Sequence, residues 1–167
     1  MTRPRGVALV ACILVAASLG GWRMGSGRRA VGPASTVQRV IDGDTIVVRR
    51  ADGSLETVRL LGVDTPETHH PTKPVQCYGP EAAAFTRRRL TGRAVRFETD
   101  VETRDAYGRR LAYVLLDGER FNDVLLRAGY ARLLIIPPNG VHAREMLREE
   151  LDARRARRGL WGACEAS

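Results

Sequence analysis

Short segments rich in β-branched residues alternate with Asp-Gly pairs over much of this 167-residue chain. The pairs stand at residues 42–43, 52–53 and 117–118. Each pair predicts a break or tight turn, because glycine adopts turn conformations that other residues avoid. The predicted strands are residues 37–40, 45–50, 56–61, 95–99 and 111–116, with a short one near Arg120. Short strands joined in this way predict a small β-barrel.

Three helices are predicted, over residues 80–90, 122–128 and 143–158. Pro80 suits the first turn of a helix, where its missing N–H costs nothing. Asn122 is predicted to cap the second helix with its side-chain oxygen. In the third helix, Met146, Leu147 and Leu151 form an apolar stripe that is predicted to face the core. Helices inserted into and appended to five strands predict an α+β fold.

The positive charge of the chain is unevenly distributed. Residues 1–30 contain five arginines and no acidic residue, so residues 31–167 keep +3 of the formal charge of +8. The total charge is therefore weak support for nucleic-acid binding. Aromatic residues make up only 5% of the chain, which argues against a base-stacking surface built mainly from rings. The three cysteines include no Cys-x-x-Cys pair of the kind that holds zinc.

The amino terminus has the layout of an export signal. Arg3 and Arg5 precede an apolar run over residues 6–21. This run is shorter than the roughly 20 residues that span a bilayer comfortably, which favours a cleaved signal peptide. An uncleaved anchor with membrane contact through the same run remains the alternative. The predicted organisation is a signal peptide or membrane anchor (1–24), a flexible linker (25–35) and a folded domain (36–164).

Acidic residues gather at two places that the predicted strands bring together. Asp42 and Asp44 stand at a strand start, and Asp64 and Glu67 follow the second strand of the hairpin. Carboxylates at one place repel each other unless a hard cation lies among them, and oxygen ligands suit calcium or magnesium. The alternative is that the first pair belongs to a turn and the second to a loop or helix cap. The residues alone leave both interpretations open.

Two arginines strengthen the first interpretation. Arg59 stands five residues before the second acidic segment, and Arg109 precedes the strand at residues 111–116. An acidic metal cluster flanked by guanidinium groups is what phosphodiester hydrolysis requires. His69 and His70, with Cys77 nearby, suggest a zinc site instead. We disfavour zinc because it would compete with an oxygen-only cluster.

Five motifs in order carry a family resemblance. They are VIDGDTI (40–46), VRLLGVDTPE (58–67), YGPEAAAFT (78–86), DAYGRRLAYV (105–114) and GLW (159–161). Together they resemble the staphylococcal nuclease family over roughly residues 36–161. The resemblance implies an OB-fold barrel of five strands with three helices. It also implies a calcium-dependent phosphodiesterase that acts on DNA and RNA and leaves 3′-phosphate ends.

The resemblance also implies a calcium site. The family's calcium carboxylates correspond to Asp44 and Asp64, and its backbone-carbonyl ligand corresponds to Thr65. Asp42 corresponds to an acid that lies beside the metal, usually outside its first coordination sphere. Calcium is therefore the expected cofactor.

The remaining catalytic positions of the family are also filled. Its arginine pair corresponds to Arg59 and Arg109, and its glutamate near the attacking water corresponds to Glu67. Tyr107 corresponds to a residue that contacts the bound nucleotide. A complete set of these residues favours an enzyme over the alternative, a non-catalytic OB-fold nucleic-acid-binding module at the cell envelope.

Three departures from the family pattern concern substrate contacts. Ala106 replaces a lysine before the tyrosine of the Tyr-Gly-Arg motif, and the loop after Glu67 keeps only Lys73 of a lysine-rich segment. Residues 133–138 read LLIIPP where the family has two tyrosines that pack against the base. We therefore expect the hydrolytic step to be retained and the base preference to differ. The expected substrates are single-stranded or locally opened DNA and RNA.

The cysteines are consistent with export. Cys12 lies in the leader, which leaves Cys77 and Cys164 in the mature domain. An even number of cysteines in an oxidising compartment predicts a disulfide between them. We expect a monomer that is secreted or anchored at the cell envelope.

Overall fold

The computed structural model describes residues 31–68 and 74–164, where the chain forms eight strands and four helices. The strands are β1 (Ser35–Val40), β2 (Thr45–Arg49), β3 (Leu55–Leu60), β4 (Gly62–Asp64), β5 (Ala94–Glu98), β6 (Arg110–Leu116), β7 (Glu119–Arg120) and β8 (Arg132–Leu134). The helices are α1 (Gly79–Leu90), α2 (Phe121–Arg127), α3 (Ala143–Arg155) and α4 (Leu160–Ala163). Among the described residues, no helix is long and apolar enough to cross a membrane. The predicted leader, His69 and His70 lie outside the described residues.

Five strands close into a barrel in the order β3-β2-β1-β5-β6. Neighbouring strands pair antiparallel, except that β6 returns to pair with β3 in parallel and closes the barrel. The two-residue strand β7 extends the sheet beyond β6. The structure confirms the α+β class and the barrel of five strands, an arrangement consistent with the OB fold.

The barrel interior is filled by aliphatic and aromatic side chains. In β5, Val95 and Phe97 are buried while Arg96 between them is exposed, as the two-residue period of a strand requires. Burying each large apolar side chain contributes about 1.5–3 kcal/mol. Other fully buried members of this core are Ile46, Val48, Val58, Leu60, Leu90, Tyr113, Phe121 and Leu125. The apolar residues of the β-branched segments thus form the core inside the barrel.

The predicted hairpin between β2 and β3 is present, with a connecting loop over residues 50–54. The Arg50 N–H donates to the Ser54 carbonyl at 2.9 Å, and Gly53 adopts a φ of 83° inside the loop. The register sets Thr45 opposite Arg59. As a result Asp44, which immediately precedes β2, lies beside the end of β3, where Arg59 stands.

Asn122 does not cap α2. The helix begins at Phe121, and Asn122 lies within its first turn with its side chain fully buried. Its amide donates to the Leu61 carbonyl at 2.7 Å and accepts from the Val114 N–H at 2.8 Å. The capping prediction was wrong because these buried backbone groups are satisfied by the amide, which ties α2 to the barrel.

The apolar stripe predicted for α3 is only partly correct. Met146 is fully buried, but Leu147 and Leu151 remain 42% and 37% exposed. The buried face instead runs through Met146, Glu150 and Ala153. The Glu150 carboxylate accepts a hydrogen bond from the Leu133 N–H at 3.1 Å. A buried acid on this face is accommodated because it accepts this hydrogen bond from β8, which helical periodicity does not reveal, and also pairs with Nη2 of Arg154 at 3.1 Å.

A two-stranded sheet beside the barrel was not predicted. β4 pairs antiparallel with β8, with Gly62 opposite Leu134 and Asp64 opposite Arg132. Each strand has only three residues, too few for a periodic pattern to be recognised. This small sheet carries the chain from β3 towards the second acidic segment.

A disulfide joins the carboxyl-terminal segment to the segment before α1. Cys77 and Cys164 are bonded, with their Cα atoms 5.9 Å apart. The Leu160 N–H at the start of α4 donates to the Gly129 carbonyl at 2.9 Å. Residues 160–164 are therefore held to the rest of the domain at two points, by the hydrogen bond of Leu160 and by the disulfide of Cys164.

We expect Cys77 and Cys164 to be paired in protein produced under oxidising conditions and to resist alkylation unless the protein is first reduced. The bond closes a loop across 87 positions, and replacing both cysteines by serine should lower the free energy of unfolding by at most about 4–5 kcal/mol. Peptide mapping after alkylation, with and without reduction, measures the pairing. Full labelling of both cysteine peptides in the unreduced protein would contradict it.

Candidate active site

The turn before β2 brings Asp44 against the end of β3. Its carbonyl accepts a hydrogen bond from the Leu60 N–H at 2.9 Å, which continues the hairpin ladder by one step. The Asp44 N–H in turn donates to the Asp42 carboxylate at 3.1 Å. The backbone at the first acidic segment is thus fixed by the barrel itself.

The carboxylate of Asp44 is buried, accepts three hydrogen bonds and forms one ion pair. One oxygen, Oδ2, accepts from the Thr65 N–H at 2.7 Å and from its hydroxyl at 3.0 Å. The other, Oδ1, accepts from the Thr45 hydroxyl at 3.1 Å and lies 3.1 Å from Nε of Arg59. This carboxylate therefore joins three separate segments of the chain.

The Arg59 guanidinium links the two acidic segments. Besides contacting Asp44, it donates through Nη2 to the Asp64 carboxylate at 3.1 Å. Its Nη1 donates to the carbonyls of Leu60 and Val63, each at 2.7 Å. Two carbonyl anchors fix the orientation of this guanidinium, so its position does not depend on the carboxylates alone.

Burial, and after it the neighbouring carboxylates, raise the pKa of two acids at this corner. Burial, followed by the charge of Asp44, raises the pKa of Asp42 to about 6. Burial and the charges of Asp44 and Glu67 raise the pKa of Asp64 above its usual value, although Arg59 opposes the change. Like charges at close range disfavour ionisation of both groups. The acidic segments thus lie close enough to interact.

Gly43 permits close contact between the two acidic segments. A Cβ atom at this position would lie 2.6 Å from Cγ2 of Thr65, closer than real contacts allow. The Gly43 carbonyl also accepts a 2.7 Å hydrogen bond from the Thr86 hydroxyl of α1. Glycine is required here because the Thr65 side chain occupies the space that a side chain at position 43 would need.

Glu67 is held through its backbone by Gln76. The Gln76 side-chain oxygen accepts from the Glu67 N–H at 2.9 Å, and the Gln76 N–H donates to the Glu67 carbonyl at 3.0 Å. The Glu67 carboxylate accepts from the Thr68 N–H at 3.0 Å. Gln76 precedes the disulfide-bonded Cys77, so this clamp is itself fastened to the end of the chain. No sequence pattern singles out Gln76 for this role.

A turn built on Asp105 presents Arg109 and Tyr107. Its carboxylate accepts from the N–H groups of Tyr107 and Arg109 at 3.0 and 2.9 Å, and from Nε of Arg109 at 2.6 Å. Burial favours the neutral acid, but these hydrogen bonds hold the pKa of Asp105 below its usual value. An aspartate two residues before Tyr-Gly is the sequence signal of such a turn, although Asp105 was not predicted as a site residue.

Both predicted arginines line one groove of about 650 Å³. Tyr107 also lines it, is 86% exposed, and has its ring centre 5.5 Å from the guanidinium carbon of Arg109. The opposite lining is largely aliphatic and includes Leu61, Leu134 and Ile136. Leu134 and Ile136 belong to residues 133–138, the segment in which the family pattern has two tyrosines. The groove thus has a cationic part and an apolar part.

The oxygen atoms at the acidic corner fit calcium in type. Two carboxylates, of Asp44 and Asp64, lie beside buried Thr65, and calcium binds carboxylate, carbonyl and water oxygens. Within residues 31–68 and 74–164, no group of three or more histidine, cysteine, aspartate or glutamate residues is arranged to hold a metal ion. Cys77 lies in a disulfide and offers no thiolate for zinc. A metal here would depend on backbone and water oxygens as well as on the two side chains.

Taken together, the closed barrel and the charged groove define an OB-type protein with a site suited to a phosphate-containing ligand. The model of the family described as "Staphylococcal nuclease homologue" matches residues 57–163. The chain is 46% identical over 130 residues to the thermonuclease of Staphylococcus intermedius, covering 78% of this chain and 77% of that protein. It is also 46% identical over 125 residues to the thermonuclease of Staphylococcus hyicus, covering 75% and 73%. The chain belongs to the staphylococcal nuclease family.

A more distant relative is an SPbeta prophage-derived endonuclease of Bacillus subtilis (strain 168), which is 37% identical over 128 residues. The match covers 75% of this chain and 43% of that protein. The shared part is therefore a domain that also occurs within a longer protein. These comparisons confirm the family inferred from the five sequence motifs.

Replacing Gly43 by alanine should lower the free energy of unfolding by about 1–3 kcal/mol, because the new methyl group overlaps Thr65. The matched control is Gly32→Ala, where the methyl group meets its nearest neighbour, Nη2 of Arg110, at 3.8 Å. Urea denaturation of both variants provides the measurement. Equal stability of the two variants would show that the contact at residue 43 is not restrictive.

Proposed function

We propose that the protein is a secreted nuclease that uses calcium to hydrolyse phosphodiester bonds of DNA and RNA, leaving 3′-phosphate ends. The observation that carries this proposal is the position of Arg59. Its guanidinium contacts the carboxylates of Asp44 and Asp64 and also lines the groove that contains Arg109. One cation thus connects an oxygen-rich corner with a groove of the right polarity for a phosphate. The names of the relatives, two thermonucleases and an endonuclease, support the same conclusion.

In this proposal Asp44, Asp64 and the carbonyl of Thr65 hold the calcium ion. When bound, calcium supplies positive charge that offsets the charge of the phosphate and of the surrounding carboxylates. The hydrogen bonds from Thr65 to Asp44 orient that carboxylate before any ligand arrives. Burial, followed by the charges of Asp44 and Glu67, raises the pKa of Asp64, and a cation beside this carboxylate would favour its ionised form.

The chemical step is assigned to Glu67 and the two arginines. A water oxygen attacks phosphorus and gives up a proton, and the bond between phosphorus and the 5′ oxygen breaks. The leaving 5′ oxygen takes up a proton from solvent water to become a hydroxyl, and the phosphate remains on the 3′ side. Glu67 orients the water or accepts its proton, and its backbone is held for this purpose by Gln76. Arg59 and Arg109 stabilise the negative charge that develops on the phosphate oxygens. The Asp105 carboxylate keeps Arg109 in place beside the groove.

Substrate contacts beyond the phosphate are assigned to the groove. Tyr107 is exposed beside Arg109 and offers a ring to the nucleotide. The aliphatic lining at Leu134 and Ile136 offers apolar contact to a base without ring stacking. We therefore propose single-stranded or locally opened DNA and RNA as substrates.

Export of the protein is part of the proposal. The disulfide between Cys77 and Cys164 fits an oxidising compartment, as does the predicted leader over residues 1–24. We propose a monomer that is either released or retained at the cell envelope through membrane contact of residues 6–21. We assign the folded domain to residues 36–164, and within the predicted linker (25–35) Val31 bridges Glu98 and Ser35 begins β1.

Cleavage of single-stranded DNA should require calcium, and magnesium should substitute poorly. Calcium tolerates an irregular oxygen site, whereas magnesium demands near-octahedral geometry. Release of acid-soluble nucleotides with calcium, with magnesium and with EGTA measures the requirement. Equal rates with calcium and with EGTA would contradict the calcium assignment. Binding of DNA without any cleavage would instead favour the non-catalytic OB-fold module.

The Glu67→Gln substitution should lower kcat by about 10²-fold or more, because the amide keeps the shape of the side chain but loses its basicity. Calcium affinity and the thermal unfolding temperature should change little, since the backbone clamp with Gln76 is retained. Glu81→Gln is the matched control, an exposed acid in the first turn of α1. Steady-state kinetics of both variants decide the assignment. A normal rate for Glu67→Gln, or an equal loss of rate in both variants, would contradict the assignment of Glu67 to the chemical step.

A further inference from the structure

A second, strongly polar cavity of about 290 Å³ adjoins the main groove. Its polar lining consists of Arg50, Glu56, Thr57, Arg104, Tyr107 and Arg109. Three of these residues, Arg104, Tyr107 and Arg109, also line the main groove. A ligand long enough to pass the Tyr107 turn would therefore meet both spaces.

The chemistry of this cavity differs from that of the main groove. Its lining residues carry three guanidinium groups, two hydroxyl groups and one carboxylate, that of Glu56, and Leu55 is the aliphatic side chain among them. A nucleobase gains little from such walls, whereas a phosphate gains hydrogen bonds from guanidinium groups. The cavity is thus suited to a phosphate and not to a base.

Arg104 is held in position by two acceptors. Its Nη2 donates to the Glu56 carboxylate at 2.7 Å, and its Nη1 donates to the Gly108 carbonyl at 2.9 Å. The same carboxylate, which is buried, also lies 3.4 Å from Nη1 of Arg110. The single negative charge of Glu56 is thus shared by the guanidinium groups of Arg104 and Arg110, so this cluster of three side chains keeps a net charge of +1.

Arg50 contributes a second cation that is weakly paired. Its Nη2 lies 3.9 Å from the Asp52 carboxylate, and its side chain is 48% exposed. Asp52 meanwhile accepts hydrogen bonds from the N–H and hydroxyl of Ser54. Exposed pairs at this separation contribute little, so Arg50 can exchange its partner for a phosphate.

We propose that Arg50 and Arg104 form a second phosphate-binding subsite for a neighbouring nucleotide of single-stranded DNA or RNA. The inference rests on the proposed function, with the scissile phosphate lying in the groove between Arg59 and Arg109. The exposed Tyr107 stands between the two spaces, where the strand passes from one to the other. The subsite makes the protein prefer polynucleotides over substrates that carry a single phosphate.

The test compares two substrates, a dinucleotide with one phosphodiester bond and a single-stranded 12-nucleotide DNA. For Arg50→Gln, the KM for the 12-nucleotide DNA should rise about tenfold with kcat unchanged. Arg104 also lines the main groove, so Arg104→Gln is tested by binding alone. Kinetics with the dinucleotide should stay the same. The matched control is Arg93→Gln, which removes a guanidinium of similar exposure, 50%, that pairs with Asp117 away from both cavities. Equal losses on both substrates, or no loss on either, would overturn the subsite.

A binding measurement separates this inference from the proposed function. Fluorescence anisotropy of the 12-nucleotide DNA, titrated with protein at several salt concentrations, gives the dependence of affinity on salt. Each substitution, at Arg50 or Arg104, should reduce the slope of log K against log salt by about 1. An unchanged slope would overturn the subsite. Should the parent protein cleave neither substrate, the proposed function fails, and the slope still decides whether the subsite exists.

Discussion

The site depends on the buried carboxylate of Asp44, which accepts hydrogen bonds from Thr65 and forms an ion pair with Arg59. A buried carboxylate is costly unless its charge is compensated and its oxygens are hydrogen-bonded. Here Asp44 accepts three hydrogen bonds from Thr45 and Thr65, and the ion pair with Arg59 supplies the compensating charge. The same contact stabilises the corner and orients the groups that the proposed chemistry uses. The contacts that stabilise this corner of the fold are therefore the same ones that position the groups proposed to act in catalysis.

Closure of the barrel decides what meets at this corner. The parallel pairing of β3 with β6 sets Arg59 opposite Leu111, so the loop before β6 lies beside the end of β3. That loop carries Arg109 and Tyr107, which line the same groove as Arg59. Asn122 adds a tie between α2, β6 and the end of β3. A site drawn from distant parts of the chain is thus held by the strands themselves.

The acidic and arginine residues of the site could be singled out from the sequence, because their types and spacing match a known pattern. Gln76 could not be, because its role comes from two hydrogen bonds across a loop to the backbone of Glu67. Asn122 was misread as a cap because buried backbone groups of the barrel claim its amide. Leu151 was assigned to the core, but α3 buries Glu150 against β8 instead.

The sequence by itself determined the strands of the barrel, the turns between them, the family and the identity of the charged residues, since these follow from residue type and local spacing. Only the tertiary structure decided which residues share a groove, because barrel closure and the pairing of β4 with β8 join segments far apart in the chain. It also decided which polar groups are buried. Burial depends on what packs against a side chain, and local sequence does not contain that information.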